Sequence, residues 1–251
     1  MVSQVIHLQV EESVAVCGHH PQINCGDCRL SGICLPLALE ADDVDELDRI
    51  IQRGRPLQRH AHLYREGDAF TSVFAVRAGA LKAYSTTDNG REQVTGFYLP
   101  GEILGLDGVA DNCYSSSAVA LETSAICEIP FESLERLGIA IPELQRHFLR
   151  LMSREISYGR QLITLLGKNT AAERIVALLL SLSGRNSRRH LSATRFRLPM
   201  SRSDIGNYLG LTVETVSRTL TRLQRDRLIQ VDNREVELLD TAALEMILAS
   251  Q

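Results

Sequence analysis

The sequence predicts an α+β protein of two modest domains: a small β-rich roll, a long helix and a helix-turn-helix with a β-wing. Three observations support this. Short β-prone runs alternate with turn residues between positions 57 and 129, helical periodicity extends over 141–166, and closely spaced helix caps occupy 201–212. With 251 residues, 44% of them hydrophobic, the chain is long enough to bury a core in each domain.

The N-terminal segment does not resemble a secretory signal. It lacks a basic n-region, and Glu11 and Glu12 interrupt its apolar character. No stretch approaches the ~18 apolar residues that a membrane span needs. We therefore expect a cytoplasmic protein, in which the six cysteines serve metal, cluster or redox chemistry rather than structural disulfides.

Charge is segregated along the chain, although the net charge is only −4. The segment 185–227 contains ten arginines and three acidic residues, whereas 40–48 contains six acidic residues and no basic one. This distribution predicts one domain that faces nucleic acid and one that avoids phosphate.

The predicted domain boundaries follow changes in cysteine content and in hydrophobic periodicity along the chain. Residues 1–35 form a cysteine-rich cap, and 36–138 form the β-roll sensory domain, with a helix expected over Pro36–Arg53. Asn89-Gly90 is a favourable hairpin turn because both residues tolerate positive φ. The expected strands are Ser72–Arg77, Leu81–Ser85, Gln93–Tyr98, Ala118–Leu121 and Ser124–Ile129.

The long helix carries two apolar stripes, which is more than packing on its own domain requires. We predict that one stripe contacts a parallel twin helix in a homodimer, with 139–168 as the dimerisation helix. The alternative is a helix buried inside a larger core. The proposed seam is Leu149, Met152, Ile156, Gly159, Ile163 and Leu166; the second stripe is Leu144, Phe148, Leu151, Leu162 and Leu165.

The helix-turn-helix lies within 169–251, the predicted winged-helix DNA-binding domain. Ser201 can cap its first helix with help from Asp204, Gly210 can end that helix in the left-handed conformation, and Thr212 can cap the second. The inward residues of the second helix are Val216, Leu220 and Leu223, and Val231–Leu239 resembles a wing.

The outward face of the second helix predicts DNA recognition in the major groove. Glu214 can accept a hydrogen bond from cytosine, Arg218 can bond guanine through two donors, and Ser217 suits several base edges. Arg222 and Arg225 lie further along the helix, where phosphate contacts are expected.

Three cysteines, Cys25, Cys28 and Cys34, lie within ten residues and predict a metal or cluster site. Such a set needs a fourth ligand from elsewhere. The candidates are Cys17, His19, His20, Cys113 and Cys127, and the spacing does not choose between zinc and an iron–sulfur cluster.

From Cys25 to Ala243 the chain resembles the FNR branch of the Crp/Fnr regulators, most closely the oxygen-responsive ones. The resemblance rests on the Cys25–Cys28–Cys34 spacing and on the runs ALETSAICEIPF at 120–131, LMSREI at 151–156 and DIGNYLGLTVETVSR at 204–218. It implies a cyclic-nucleotide-binding-like β-roll, a dimerisation helix and a winged helix.

The resemblance also implies a [4Fe–4S] cluster held by Cys25, Cys28, Cys34 and Cys127, with Cys17 and Cys113 as bystanders. Oxygen would convert the cluster, weaken the dimer and release DNA. The implied base contacts are Glu214, Ser217 and Arg218 on a palindrome of the TTGAT-N4-ATCAA type. RNA polymerase is an implied partner, with the hairpin Thr87–Glu92 as its contact.

Two departures from the family stand out. The cyclic-AMP-binding branch has an arginine after its Gly-Glu loop, but here Gly101-Glu102 is followed by Tyr114–Ala118 without one, so no cyclic nucleotide is expected. Gly159 stands where relatives often carry an acid that repels its twin. The cluster-free protein is therefore expected to dimerise more readily than theirs.

Two rival functions remain. A zinc-stabilised regulator without redox sensing would share the DNA-binding half. A dithiol redox enzyme would need its Cys-x2-Cys pair at a helix N-terminus in an α/β fold, whereas this pair precedes a β-roll. The visible spectrum and iron content of protein purified without oxygen would distinguish the cluster from zinc.

Overall fold

The computed structural model describes residues 23–249 apart from residue 88. In this part of the chain the helices are α1 Ala41–Ile50, α2 Phe131–Ala140, α3 Pro142–Lys168, α4 Ala171–Arg188, α5 Arg202–Leu209, α6 Val213–Arg225 and α7 Thr241–Ala249. The strands are β1 Gln52–Arg53, β2 His62–Tyr64, β3 Ser72–Ala78, β4 Leu81–Thr86, β5 Glu92–Tyr98, β6 Ile103–Leu104, β7 Ser117–Ala120, β8 Ala125–Pro130, β9 Arg195–Arg197, β10 Ile229–Asp232 and β11 Glu235–Leu238. Leu35–Ala38 and Leu106–Gly108 form short 3-10 helices.

Two antiparallel sheets form the β-roll. Their strand orders are β1-β8-β3-β6 and β2-β7-β4-β5. The five predicted strands are present as β3, β4, β5, β7 and β8, which confirms the β-roll. Strands β1, β2 and β6 were not predicted because two or three residues are too few to display alternation.

Apolar packing joins the sheets to each other and to the helices. Inside the roll, the rings of Tyr64 and Tyr114 stack with centroids 4.0 Å apart, beside Phe74 and the fully buried Leu81. A second cluster joins β3 and β8 to the 3-10 helix at 35–38 and to helices α1, α2 and α3. The roll therefore rests directly on the long helix.

The helix predicted over Pro36–Arg53 is wrong in extent. Pro36 lies in a 3-10 turn, Glu40 is extended with ψ 164°, and the α-helix covers only Ala41–Ile50. The following residues form the short strand β1, where Arg53 pairs with Cys127. The apolar residues continue the helical spacing beyond the helix because Leu39 and Ile51 pack into the same cluster from outside it.

The C-terminal part contains the predicted helix-turn-helix and wing. Helix α5, Gly210 and helix α6 are followed by β10 and β11, which pair with β9 in the order β10-β11-β9. Helix α4, which precedes the motif, was not predicted, although Thr170 and Glu173 form a capping box at its start. No helix within the described residues is both long and apolar enough to cross a membrane.

Gly79, in the turn between β3 and β4, cannot accept a side chain. Its φ is +82°, and a Cβ there would lie 2.3 Å from Ser124 Oγ and 2.6 Å from the Thr123 carbonyl oxygen. We expect Gly79→Ala to lower the free energy of unfolding by about 2–4 kcal/mol, since left-handed strain adds to overpacking.

Gly67 is the matched control, because its φ is +84° but its Cβ would meet nothing within 4 Å. Gly67→Ala should cost only about 1 kcal/mol. Urea unfolding of both variants measures the difference, and equal losses would show that the contact with Ser124 carries no weight.

Candidate cysteine pocket and DNA-reading helix

Four cysteines from two distant parts of the chain line one small, largely apolar pocket. Cys25, Cys28 and Cys34 come from the segment before α1, and Cys127 comes from β8. The apolar lining includes Ile23, Leu30, Leu35, Ile51, Val76 and Ile129. The structure thus brings together the four cysteines of the ligand set that the family resemblance implies.

Successive turns hold the three N-terminal cysteines. The Ser31 N–H donates to the Cys28 carbonyl at 2.9 Å, and the Cys34 N–H donates to the Leu30 carbonyl at 2.9 Å. The Cys25 N–H donates to the Asp48 carboxylate on α1 at 2.7 Å. Backbone bonds therefore fix the segment without using the thiols.

The other candidate ligands do not join this pocket. Cys113 forms an isolated bridge with Ala69 and does not line the pocket. Cys17, His19 and His20 lie outside the described residues.

Burial is the largest cause of the raised pKa values of three of the thiols. It raises the pKa of Cys34 to about 12 and also raises the pKa values of Cys25 and Cys127. Asp48 raises the pKa of Cys25 further, while Arg53 opposes the rise. Without metal these thiols are neutral, so binding of any metal group must displace their protons.

Arginine supplies positive charge beside the sulfurs. Arg53 Nη2 lies 3.6 Å from Cys25 Sγ and forms an ion pair with Asp48, while Arg77 also lines the pocket. Burial raises the pKa of Asp48, but hydrogen bonds from Arg53 and Cys25 outweigh it and the net pKa is lowered. The pocket therefore suits a group of negative net charge.

The four thiols share one pocket lining without meeting at a single point. Among the described residues, no three His, Cys, Asp or Glu side chains are arranged to hold one metal ion. Zinc needs four ligands about one centre, with sulfur at ~2.3 Å. A cluster places its thiolates on separate irons, so thiols that share a pocket without meeting at one point are compatible with it.

The cysteine pocket rests on the first half of α3. His147 is only 2% exposed, and its ring hydrogen-bonds the Cys34 backbone. Leu144 and Leu35 pack in the same cluster as Cys34 and Cys127. The sequence analysis missed His147, although a histidine inside the apolar stripe of Leu144, Phe148 and Leu151 was a visible signal.

The two stripes of α3 have different surroundings. The proposed seam is open: Leu149, Ile156 and Ile163 are 58%, 57% and 72% exposed. Gly159 is also exposed, whereas Met152 and Leu166 are half-buried. The second stripe packs within the protomer, with Leu144, Phe148 and Leu151 against the roll and Leu165 against the C-terminal core. One apolar face of α3 therefore lacks a partner within the described residues.

Local sequence rules position the helix-turn-helix as predicted. Ser201 and Asp204 form a reciprocal capping box, and Gly210 ends α5 at φ 62°, ψ 40°. Thr212 accepts the Thr215 N–H at the start of α6. Helix α6 then buries one face, formed by Val216, Thr219, Leu220 and Leu223.

The opposite face of α6 is open to solvent. Glu214, Ser217, Arg218, Arg222 and Arg225 are all exposed. The carboxyl pKa of Glu214 is lowered by hydrogen bonds to its own backbone and to Thr212, so the group is an acceptor at neutral pH. The exposed face thus offers one anionic acceptor and a row of cationic donors, which suits base edges and phosphates respectively.

Comparisons with known proteins agree with both halves of the fold. Residues 173–247 match the Crp-like helix-turn-helix domain, and residues 54–138 match the cyclic nucleotide-binding domain. FixK2 from Bradyrhizobium japonicum has a similar solved structure, with a TM-score of 0.73 at 29% identity over 79% of this chain and 97% of that chain.

Curated relatives match over most of their length. The chain is 54% identical to the transcriptional activator protein FnrA of Stutzerimonas stutzeri, covering 89% of this chain and 91% of that protein. It is 44% identical to the fumarate and nitrate reduction regulatory protein of Vibrio cholerae serotype O1, covering 88% and 89%. These relatives are regulators, which removes the dithiol enzyme from consideration. The chain belongs to the Crp/Fnr family of DNA-binding transcription regulators.

Proposed function

We propose that this regulator senses oxygen through a [4Fe–4S] cluster held by Cys25, Cys28, Cys34 and Cys127. With the cluster bound, it dimerises and binds a palindrome of the TTGAT-N4-ATCAA type at low oxygen; oxygen converts the cluster and lowers DNA binding. The observation that carries the proposal is the meeting of these four cysteines in one largely apolar pocket, beside the apolar cluster that contains Leu144 of α3. Relatives named as anaerobic regulatory proteins, 44–45% identical to this chain, support the low-oxygen role.

Each side of the pocket has a defined task in this proposal. The four thiolates would hold the group, which would supply reactivity toward oxygen. Arg53 and Arg77 offset the negative charge that four thiolates bring, and the apolar walls limit access of water. Asp48 fixes Arg53 and the Cys25 backbone in place.

The link from pocket to dimer runs through α3. Cys34 would hold the group through its thiolate, while its backbone bonds His147 and its side chain packs in the same cluster as Leu144. Since His147 and Leu144 lie on the same helix as the open stripe, the position of Cys34 biases the helix toward or away from its twin. In the dimer, Leu149, Met152, Ile156, Gly159, Ile163 and Leu166 form the seam.

Recognition of DNA is assigned to α6. Glu214, Ser217 and Arg218 contact base edges, and Arg222 and Arg225 contact phosphates. A dimer holds two such helices one duplex turn apart, so the DNA site is a palindrome. The partner is double-stranded DNA, and the protein acts in the cytoplasm. RNA polymerase is the second partner, approached through the exposed hairpin Thr87–Glu92.

Replacing any one of Cys25, Cys28, Cys34 or Cys127 with serine should abolish cluster retention and anaerobic DNA binding, because a hydroxyl is a poor substitute for thiolate on iron. Iron content and visible absorption of protein purified without oxygen measure this. Cys113→Ser is the matched control and should keep its iron. A full iron complement in Cys127→Ser would remove Cys127 from the ligand set, and a colourless, zinc-loaded wild type would refute the cluster.

Arg218→Ala should cost about 1–3 kcal/mol on the cognate palindrome and relax specificity at the guanine it contacts. Arg225→Ala should instead weaken binding to all sequences alike and flatten the salt dependence, because it removes a phosphate contact. Binding titrations on cognate and scrambled duplexes at several salt concentrations separate the two. Equal losses on both duplexes for Arg218→Ala would contradict the assignment.

Gly159→Asp should lower dimerisation of the cluster-free protein. Two like charges that face each other across parallel helices oppose association by up to ~4 kcal/mol at a partly screened interface. Sedimentation of the cluster-free protein at equal concentration and salt measures the shift. Ser157→Asp adds the same charge to another exposed position of α3 and should have little effect. An unchanged or stronger dimer in Gly159→Asp would place the seam elsewhere.

A further inference from the structure

We infer that the β-roll acts as a positioning element for DNA binding: strands β4 and β5 dock on the first helix of the helix-turn-helix and fix the angle at which α6 meets the duplex. Lys82 and Gln93 are the positioning residues on the roll. The inference requires that the protein binds DNA as a dimer, and it does not depend on which metal group the cysteines hold.

Polar contacts join the two domains at α5. Lys82 Nζ on β4 lies 2.8 Å from Asp204 Oδ1, and both side chains are largely buried, at 16% and 17% exposure. Asn207 is held on both sides, because its Oδ1 accepts the Val94 N–H at 2.5 Å and its Nδ2 donates to the Glu92 carbonyl at 2.7 Å. Gln93 Nε2 also donates to the Asn207 carbonyl at 2.7 Å.

A second polar contact lies near the far end of α4. The Arg185 guanidinium donates to both oxygens of Glu102 and, at 2.5 Å, to the Phe97 carbonyl. Arg185 is fifteen residues beyond Thr170, so this contact lies about 22 Å along α4 from its start. The roll therefore holds the C-terminal domain at two separated places.

Apolar packing fills the space around these contacts. Tyr84, Val94 and Phe97 of the roll belong to the same continuous buried cluster as the core of the C-terminal domain. The rings of Phe97 and Tyr208 lie 5.0 Å apart between centroids. Cohesive packing of this kind distinguishes a built interface from a chance approach of two domains.

The docked domain remains competent to bind DNA. The buried polar contacts use α4 and α5, and an exposed ion pair joins Arg197 on β9 to Glu122. Glu214, Ser217 and Arg218 on α6 stay exposed. Docking therefore does not compete with the groove, and its effect is on orientation.

Orientation requires more than the covalent joint between α3 and α4. Arg174 braces that joint by donating to the carbonyls of Leu166, Asn169 and Leu209 at 2.8–2.9 Å. These bonds lie at one end of the domain, and the contacts with the roll add a second restraint on rotation about the joint. A dimer that must present two reading helices about 34–36 Å apart loses less freedom on binding when that angle is already set.

The test uses dependence on half-site spacing, which a purely structural defect would not alter. The full-length protein, purified without oxygen, is titrated against a palindrome that the wild type selects from random duplexes, and against the same palindrome with one base pair added between its half-sites. Lys82→Met and Gln93→Ala change only the roll. Arg136→Met is the matched control, because it removes one positive charge from an exposed ion pair on α2.

We expect Lys82→Met and Gln93→Ala each to weaken binding to the selected palindrome by about 5- to 10-fold and binding to the lengthened one by less than twofold, so that discrimination between spacings falls. Arg136→Met should leave that ratio unchanged. Without DNA, Lys82→Met should also speed hydrogen–deuterium exchange at the Val94 amide, which Asn207 holds. Equal losses on both duplexes, or no change on either, would overturn the inference. Iron content and sedimentation, measured in parallel, report on the cluster and the dimer separately.

Discussion

Helix α3 is the constraint on which the rest of the molecule depends, because it carries two apolar faces and the protomer buries only one. Full burial of a Leu or Ile side chain contributes about 1.5–3 kcal/mol. Leu149, Ile156 and Ile163 are each more than half exposed, and a twofold seam would use every one of them twice. Gly159 interrupts this stripe with a position that has no side chain, so the seam lacks one apolar contact and also lacks the repulsion an acid would provide. In the proposed dimer, this stripe would therefore supply apolar burial with one contact missing at Gly159.

Two cysteines of the pocket, Cys34 and Cys127, pack in the same cluster as Leu144 on the buried face of this helix, so the proposed sensing site would act directly on α3. Cys34 leads into the 3-10 helix Leu35–Ala38, which packs on α3, and His147 bonds the Cys34 backbone from the helix side. Burial raises the pKa values of the Cys25 and Cys34 thiols, so a metal group that ionises them must be matched by the positive charge of Arg53 and Arg77. Changes in the pocket consequently alter both packing and charge next to α3, within two helical turns of the open seam at Leu149.

The sequence predicted what local rules control. Ser201, Gly210 and Thr212 act within three or four residues of their own position, and the strands β3, β4 and β5 are long enough to alternate. Prediction failed where tertiary contacts decide the secondary structure. The apolar residues of 36–53 pack into one cluster, but they do so from a 3-10 turn, a shorter helix and a strand. The residues alone left Cys127 as one of five candidates for the fourth ligand, and only the family resemblance selected it, because its approach to Cys25 depends on the pairing of β8 with β1. Lys82 with Asp204, 122 residues apart, has no sequence signature at all.

The Gly101-Glu102 loop of the roll contacts the DNA-binding domain. In the cyclic-AMP-binding branch such a loop works with an arginine that follows it, and this chain has none at Tyr114–Ala118. Here the Glu102 carboxylate bonds Arg185 of α4, and Arg189 lies 3.9 Å from it. The positive charge beside this carboxylate therefore comes from two arginines of the DNA-binding domain. A buried carboxylate without such a partner would be costly, so the contact stabilises the position of α4 as well as satisfying Glu102. Strands β4 and β5, which contact the DNA-binding domain, belong to one sheet of the roll, and Cys127 on β8 belongs to the other.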